Sequence, residues 1–114
     1  MPYLRIQTNQ SVDAASAQQL ISRASALVAE QLGKPERYVM VAMAPPVPMV
    51  FAADNSPAAY LELKSIGLAE RQTPALSKAL CELVGEALGV SQDRIYIEFS
   101  DAPRKMWGWN GGTF

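Results

Sequence analysis

Apolar and polar residues alternate along Tyr3-Leu4-Arg5-Ile6-Gln7-Thr8, the pattern of a half-buried β-strand. Tyr60-Leu61-Glu62-Leu63-Lys64-Ser65 repeats it almost type for type, 57 residues later. Behind each run the period changes to that of a helix. Leu20, Ala24, Leu27, Val28 and Leu32 fall on one face of a first helix, and Leu76, Leu80, Leu83, Val84, Ala87 and Leu88 on one face of a second. Gly33 and Gly89 follow the last apolar positions, where helices commonly close in a left-handed residue. Thr73-Pro74 offers the second helix a cap and a first-turn proline, and either Asp13 or Ser16 with Gln19 can cap the first. Each half then returns to strand-forming residues, Tyr38 to Met43 and Arg94 to Phe99. Glu30-Gln31-Leu32-Gly33 is echoed by Glu86-Ala87-Leu88-Gly89, and Val39 and Val41 by Ile95 and Ile97, so the half-chain is written twice.

Strand, amphipathic helix and strand make a βαβ unit, whose right-handed crossover lays the helix on one face of a parallel strand pair. Two such units predict an α/β (α+β) fold, a four-stranded sheet with both helices on one face, and residues 1–114 forming a single domain. Nothing in 114 residues remains to cover the other face. Because the second strand of each unit is rich in apolar residues on both registers, that face is expected to be buried by self-association.

Composition narrows the chemistry. With 49% apolar and 18% charged residues and a net charge of -1, the chain reads as an ordinary soluble globular protein, with no basic patch for nucleic acid. MPYLRIQTNQ has no basic region followed by an apolar run, so no secretory signal is read there and a cytoplasmic location is expected. The longest apolar stretch, Tyr38 to Ala53, holds three prolines and is too short to cross a bilayer, so no membrane partner is expected. Cys81 is the single cysteine and histidine is absent, which argues against a disulfide, a cysteine metal cluster or any metal or cofactor. Proton transfer would have to use another group.

That group is Pro2. Once Met1 is removed, proline at a chain start is a secondary amine with a free lone pair, and an apolar pocket with a neighbouring cation would keep it unprotonated near neutral pH. The plainer reading is that proline opens an edge strand, where its missing N–H does no harm. Met1-Pro2 before a strand, Gly33-Lys34-Pro35 after a helix, Ser65-Ile66-Gly67, Asp93-Arg94-Ile95-Tyr96-Ile97, and Gly108-Trp109-Asn110 near Thr113-Phe114 occur together and in order. In this combination the whole chain resembles the macrophage migration inhibitory factor family of the tautomerase superfamily.

The resemblance implies a homotrimer with its sheets inside, its helices outside and three active sites at subunit interfaces. It also implies keto–enol interconversion of small α-keto acids, typically arylpyruvates, with dopachrome-type isomerisation in some members and signalling as an alternative role. Pro2 would be the base, Lys34 would bind the substrate's anionic oxygens, and Ser65 with the backbone N–H of Ile66 would form a wall. Tyr96 would enter the pocket from the adjacent subunit, Glu98 would face the anionic substrate and repel it unless Lys34 or Lys64 neutralises it, and Trp107, Trp109 and Phe114 would line the pocket. Each residue has a plainer role: Lys34 near a helix C-terminus, Tyr96 in packing, and the three aromatics in a terminal hydrophobic cluster. The chain departs from the family's best-known members at three pocket positions: Glu98 replaces asparagine, Lys64 replaces histidine, and Trp107 fills a spot that is often smaller. Ala58 and Leu61 stand where the animal proteins have paired cysteines, so thiol oxidoreductase activity is not expected.

Overall fold

A computed structural model describes all 114 residues. The elements run β1 (Tyr3–Thr8), α1 (Ala14–Leu32), β2 (Met40–Met43), β3 (Ala59–Ile66), α2 (Thr73–Leu88) and β4 (Ile95–Ala102), then a small hairpin of β5 (Gly108–Trp109) and β6 (Gly112–Thr113). The four long strands form one sheet in the order β2-β1-β3-β4. β1–β2 and β3–β4 are parallel, as two βαβ units require, and the units join through the antiparallel β1–β3 pair at the centre. No helix is long and apolar enough to cross a membrane.

Local chemistry explains the helix limits. Asp13 caps α1, its Oδ1 accepting the Ser16 N–H at 2.8 Å, and these hydrogen bonds from Ser16 hold its carboxyl below the usual range. Ser16 therefore lies inside the helix rather than at its cap. Gly33 and Gly89 take φ of 64° and 67° and close their helices as their positions predict. Thr73, read as a cap, is instead the first residue of α2, with Gln72 before it and Pro74 in the first turn. Its hydroxyl donates backward to the Glu70 carbonyl at 2.9 Å, while the Gln72 side chain accepts the Ala69 N–H at 3.0 Å.

Two strands start later than the apolar pattern suggests. A short 3₁₀ turn takes Glu36–Tyr38, so β2 begins at Met40, and another takes Gln92–Arg94, so β4 begins at Ile95. The Arg94 guanidinium is used there as a staple. It donates to the carbonyls of Phe51, Asp54, Ser56 and Pro57 and pins the long β2–β3 connection against the start of β4.

The core lies between sheet and helices. Leu4, Ile6, Leu61 and Leu63 from the strands meet Leu20, Ala24 and Val28 of α1 and Leu76, Leu80 and Val84 of α2 in one buried cluster. Burying each large aliphatic side chain contributes about 1.5–3 kcal/mol before chain entropy is counted. Val39, just before β2, and Val41 within it pack against this cluster, so of the apolar residues here it is their neighbour Met40 that turns to the open face.

The uncovered face is accordingly not an apolar sheet. Alternation places Tyr3, Arg5 and Gln7 of β1, Met40 of β2, Tyr60, Glu62 and Lys64 of β3, and Tyr96 and Glu98 of β4 on it. Met40 and Tyr96 are its exposed large hydrophobic side chains, 66% and 64% accessible, amid charged neighbours.

Candidate active site

Pro2 stands immediately before β1, and its carbonyl accepts the Met40 N–H at 2.9 Å, so the chain start is anchored to β2. β1 is a central strand, which removes the edge-strand explanation for this proline. Its missing N–H falls at a strand's first position, where proline is tolerated, and its ring is fully buried. Tyr3 pairs with Lys64, so the antiparallel register carried one step further sets Pro2 opposite Ser65.

A cavity of about 590 Å³ opens beside this end of the sheet. Its walls include Pro2, Tyr38, Lys64, Trp107, Trp109 and Phe114, so most of the lining is apolar. Tyr38 organises the aromatic side: Trp109 and Phe114 stack at 5.6 Å with planes 15° apart, and both meet the Tyr38 ring edge-on, at 5.6 and 6.1 Å. The terminal hairpin presents these rings. Asn110 and Gly111 turn it with φ of 51° and 79°, as an Asn-Gly two-residue turn requires, and the Phe114 N–H returns to the Trp107 carbonyl at 3.2 Å. Trp109 and Phe114 thus form both a hydrophobic cluster with Tyr38 and a cavity wall, while Trp107 contributes to the wall.

Lys34 follows the Gly33 cap, its N–H bonding the Ala29 carbonyl at 3.0 Å. Its ammonium leaves the helix terminus and donates to the Ile66 carbonyl at 2.8 Å, so the cation is held against the end of β3. Ser65 and Ile66 are buried beside it. Asp101 braces this wall from β4, its Oδ1 accepting the N–H groups of Gly67 at 2.8 Å and Leu68 at 3.1 Å. The terminal amine, carried by Met1, donates to the Tyr38 carbonyl at 2.6 Å. Partial burial, and next the Lys34 charge, hold this amine below its ordinary pKa of 8.0.

Pro2, Lys34, Ser65, Ile66, Trp107, Trp109 and Phe114 therefore gather at one end of the protomer. Tyr96 and Glu98 do not. Tyr96 lies opposite Tyr60 towards the other end of the sheet, its ring 4.6 Å from that of Phe51. Glu98 lies beside Glu62 on the open face, and with Glu62 it helps to raise the Tyr60 hydroxyl's pKa, after desolvation as the first cause. Lys64 pairs with Glu62 at 3.7 Å rather than with Glu98. Sequence reasoning does not single out Tyr38, Arg37 or Asp101. For Arg37 and Tyr38 the available signal is their place three and four residues after Lys34, on the same connection. No three His, Cys, Asp or Glu side chains gather where they could hold a metal ion.

A mixed sheet in the order 2-1-3-4, backed by two helices and with a buried proline in the wall of an aromatic cavity, defines a tautomerase-type protomer. The macrophage migration inhibitory factor (MIF) family model matches residues 1–114, and the chain belongs to that family. It is 37% identical to the mouse macrophage migration inhibitory factor over 116 aligned positions, covering 100% of this chain and 99% of the mouse protein. The Brugia malayi homologue is 36% identical, with coverage of 100% and 99%. Among solved structures, the Prochlorococcus marinus homologue superposes with a TM-score of 0.93 at 42% identity, covering 98% of both chains. The Toxoplasma gondii protein superposes at 0.94 with 29% identity, covering 98% of this chain and 99% of its own.

Proposed function

We propose that this chain is a tautomerase that interconverts keto and enol forms of arylpyruvate-like α-keto acids, with the Pro2 amine as base. The observation that carries this reading is the buried Pro2 ring in an aromatic cavity next to an amine whose pKa is lowered by burial and by Lys34. With Met1 gone, the Pro2 nitrogen takes a proton from the carbon next to the substrate carbonyl, and the electron pair moves onto the carbonyl oxygen. Lys34 offsets the charge that develops there. The protonated amine then returns its proton to oxygen, giving the enol; the reverse order regenerates the ketone. Trp109, Phe114 and Tyr38 offer an aromatic slot for the ring. A spectrophotometric keto–enol assay with phenylpyruvate tests this directly. Turnover above the buffer rate is expected from protein lacking Met1, and its absence would reject the enzyme.

The same reading assigns the open sheet face to a homotrimer, in which Tyr96 and Glu98 reach a neighbour's cavity. Support comes from their distance from Pro2 within the protomer and from the exposed Met40 and Tyr96. Light scattering at micromolar concentration is expected to give the mass of three chains. A stable monomer would sink both the trimer and the shared cavity.

A second reading is a signalling or protein-binding trimer with weak catalysis. It draws on the full-length similarity to the mouse protein, whose name records an effect on macrophage migration. A trimer without turnover in the assay above would favour it.

A further inference from the structure

The cavity beside Pro2 holds more positive charge than one carboxylate requires. Arg37 and Lys64 both line it, Lys34 stands next to it, and no Asp or Glu side chain belongs to its wall. Lys34 is already engaged with the Ile66 carbonyl and the reacting end. The Arg37 guanidinium lies 4.7 Å from the centre of the Tyr38 ring and contacts the Tyr38 hydroxyl at 3.4 Å, with no carboxylate within ion-pairing distance. Stacking on Tyr38 and one N–H donated to its hydroxyl orient this fork without neutralising it, leaving its other N–H groups for a planar anion.

Lys64 reaches the cavity from the opposite side, from β3 beside Tyr3. Its partner Glu62 is 3.7 Å away, and the Lys64 side chain remains 46% exposed. Such a pair is weak and water-screened, so the ammonium can turn towards a ligand at little cost. A carboxylate from Glu98 of a neighbouring copy would still leave three cations facing one acid.

We propose that Arg37 and Lys64 form a second anion subsite, making the preferred substrates α-keto acids that carry a second anionic group away from the reacting carbonyl. The proposal rests on the reading of this cavity as the substrate site. Lys34 takes the reacting end, the Tyr38, Trp109 and Phe114 rings hold the apolar middle, and Arg37 with Lys64 meets the distal anion. A neutral ring would leave Arg37 without an anionic partner and Lys64 with only its weak, exposed pair to Glu62, whereas a distal carboxylate recruits both cations beside the aromatic wall.

Binding without turnover separates this proposal from the catalytic one. Cinnamate is a planar, unreactive probe with one carboxylate, and 3- and 4-carboxycinnamate add a second at two positions on the ring. Calorimetric titration of the assembled protein lacking Met1 is expected to show at least one diacid binding about tenfold tighter than cinnamate, with the preference shrinking as salt is raised. Arg37→Gln and Lys64→Gln should each lower the ratio of diacid to monoacid affinity severalfold. Both diacids within about twofold of cinnamate, or variants that weaken all three probes equally, would overturn the subsite. Phenylpyruvate turnover without diacid preference would sink this proposal alone; diacid preference without turnover would keep the anion subsite but sink the catalytic reading and the substrate class drawn from it.

Discussion

Protein retaining Met1 is expected to have at least about 100-fold lower kcat/KM for phenylpyruvate than protein from which it has been removed, the loss typical of a missing general base. With Met1 attached, the Pro2 nitrogen is a tertiary amide whose lone pair is delocalised into the carbonyl. The free amine then belongs to Met1, one residue further out, where it is engaged with the Tyr38 carbonyl. Folding should be indifferent, because Met1 precedes β1 and lies outside the buried cluster, so the two forms should melt within a degree or two of each other. Intact mass spectrometry gives the processed fraction, and activity across preparations should rise in proportion to it. Pro2→Gly in processed protein keeps a terminal amine but loses the ring, and should lower kcat far more than it lowers the melting temperature. Equal activity with Met1 fully retained would reject Pro2 as the base.

Replacing Lys34 by Gln is expected to cost about 100-fold in kcat/KM and to move the ascending limb of its pH profile upward. The sign follows from the active form being the neutral amine. The Lys34 charge opposes protonation of the amine at the chain start, so removing it lets the amine hold its proton to higher pH. The return should be partial, since burial is the first cause of the lowered value and survives the substitution. Lys34→Arg tests charge against position: it should restore most of the limb while recovering less of the rate, because a planar fork cannot reproduce the ammonium's bond to the Ile66 carbonyl. A lysine that merely secured the β3 end would lower the rate in both variants without moving the limb. That outcome would assign Lys34 to structure.

Much of the architecture was legible in the chain because it rests on short-range rules. The alternation in β1 and β3, the apolar stripes of α1 and α2, the left-handed Gly33 and Gly89 and the Asp13 cap are local choices among few backbone states. The places where pattern misled are those where local options compete. Tyr38 and Arg94 carry strand-like neighbours yet sit in 3₁₀ turns, because Tyr38 meets the terminal aromatics and Arg94 the carbonyls of the β2–β3 connection. Which way Val41 faces was likewise undecidable from an apolar run that reads equally well in either register.

The candidate site divides along the same line. Sequence by itself determined the repeated strand–helix–strand unit, the helix ends and the family, and it marked Pro2 as the group able to do base chemistry without histidine. Only the tertiary structure decided that Pro2 heads a central strand, that Lys34 reaches the end of β3 rather than its own helix, and that Tyr38 gathers Trp109 and Phe114. It also placed Arg37 and Lys64 on one cavity, and Tyr96 and Glu98 away from it. The reason is physical: periodicity and capping act over a few residues, whereas charge and shape at a site are set by groups as far apart as Pro2 and Phe114, joined only when the sheet registers and the chain ends close.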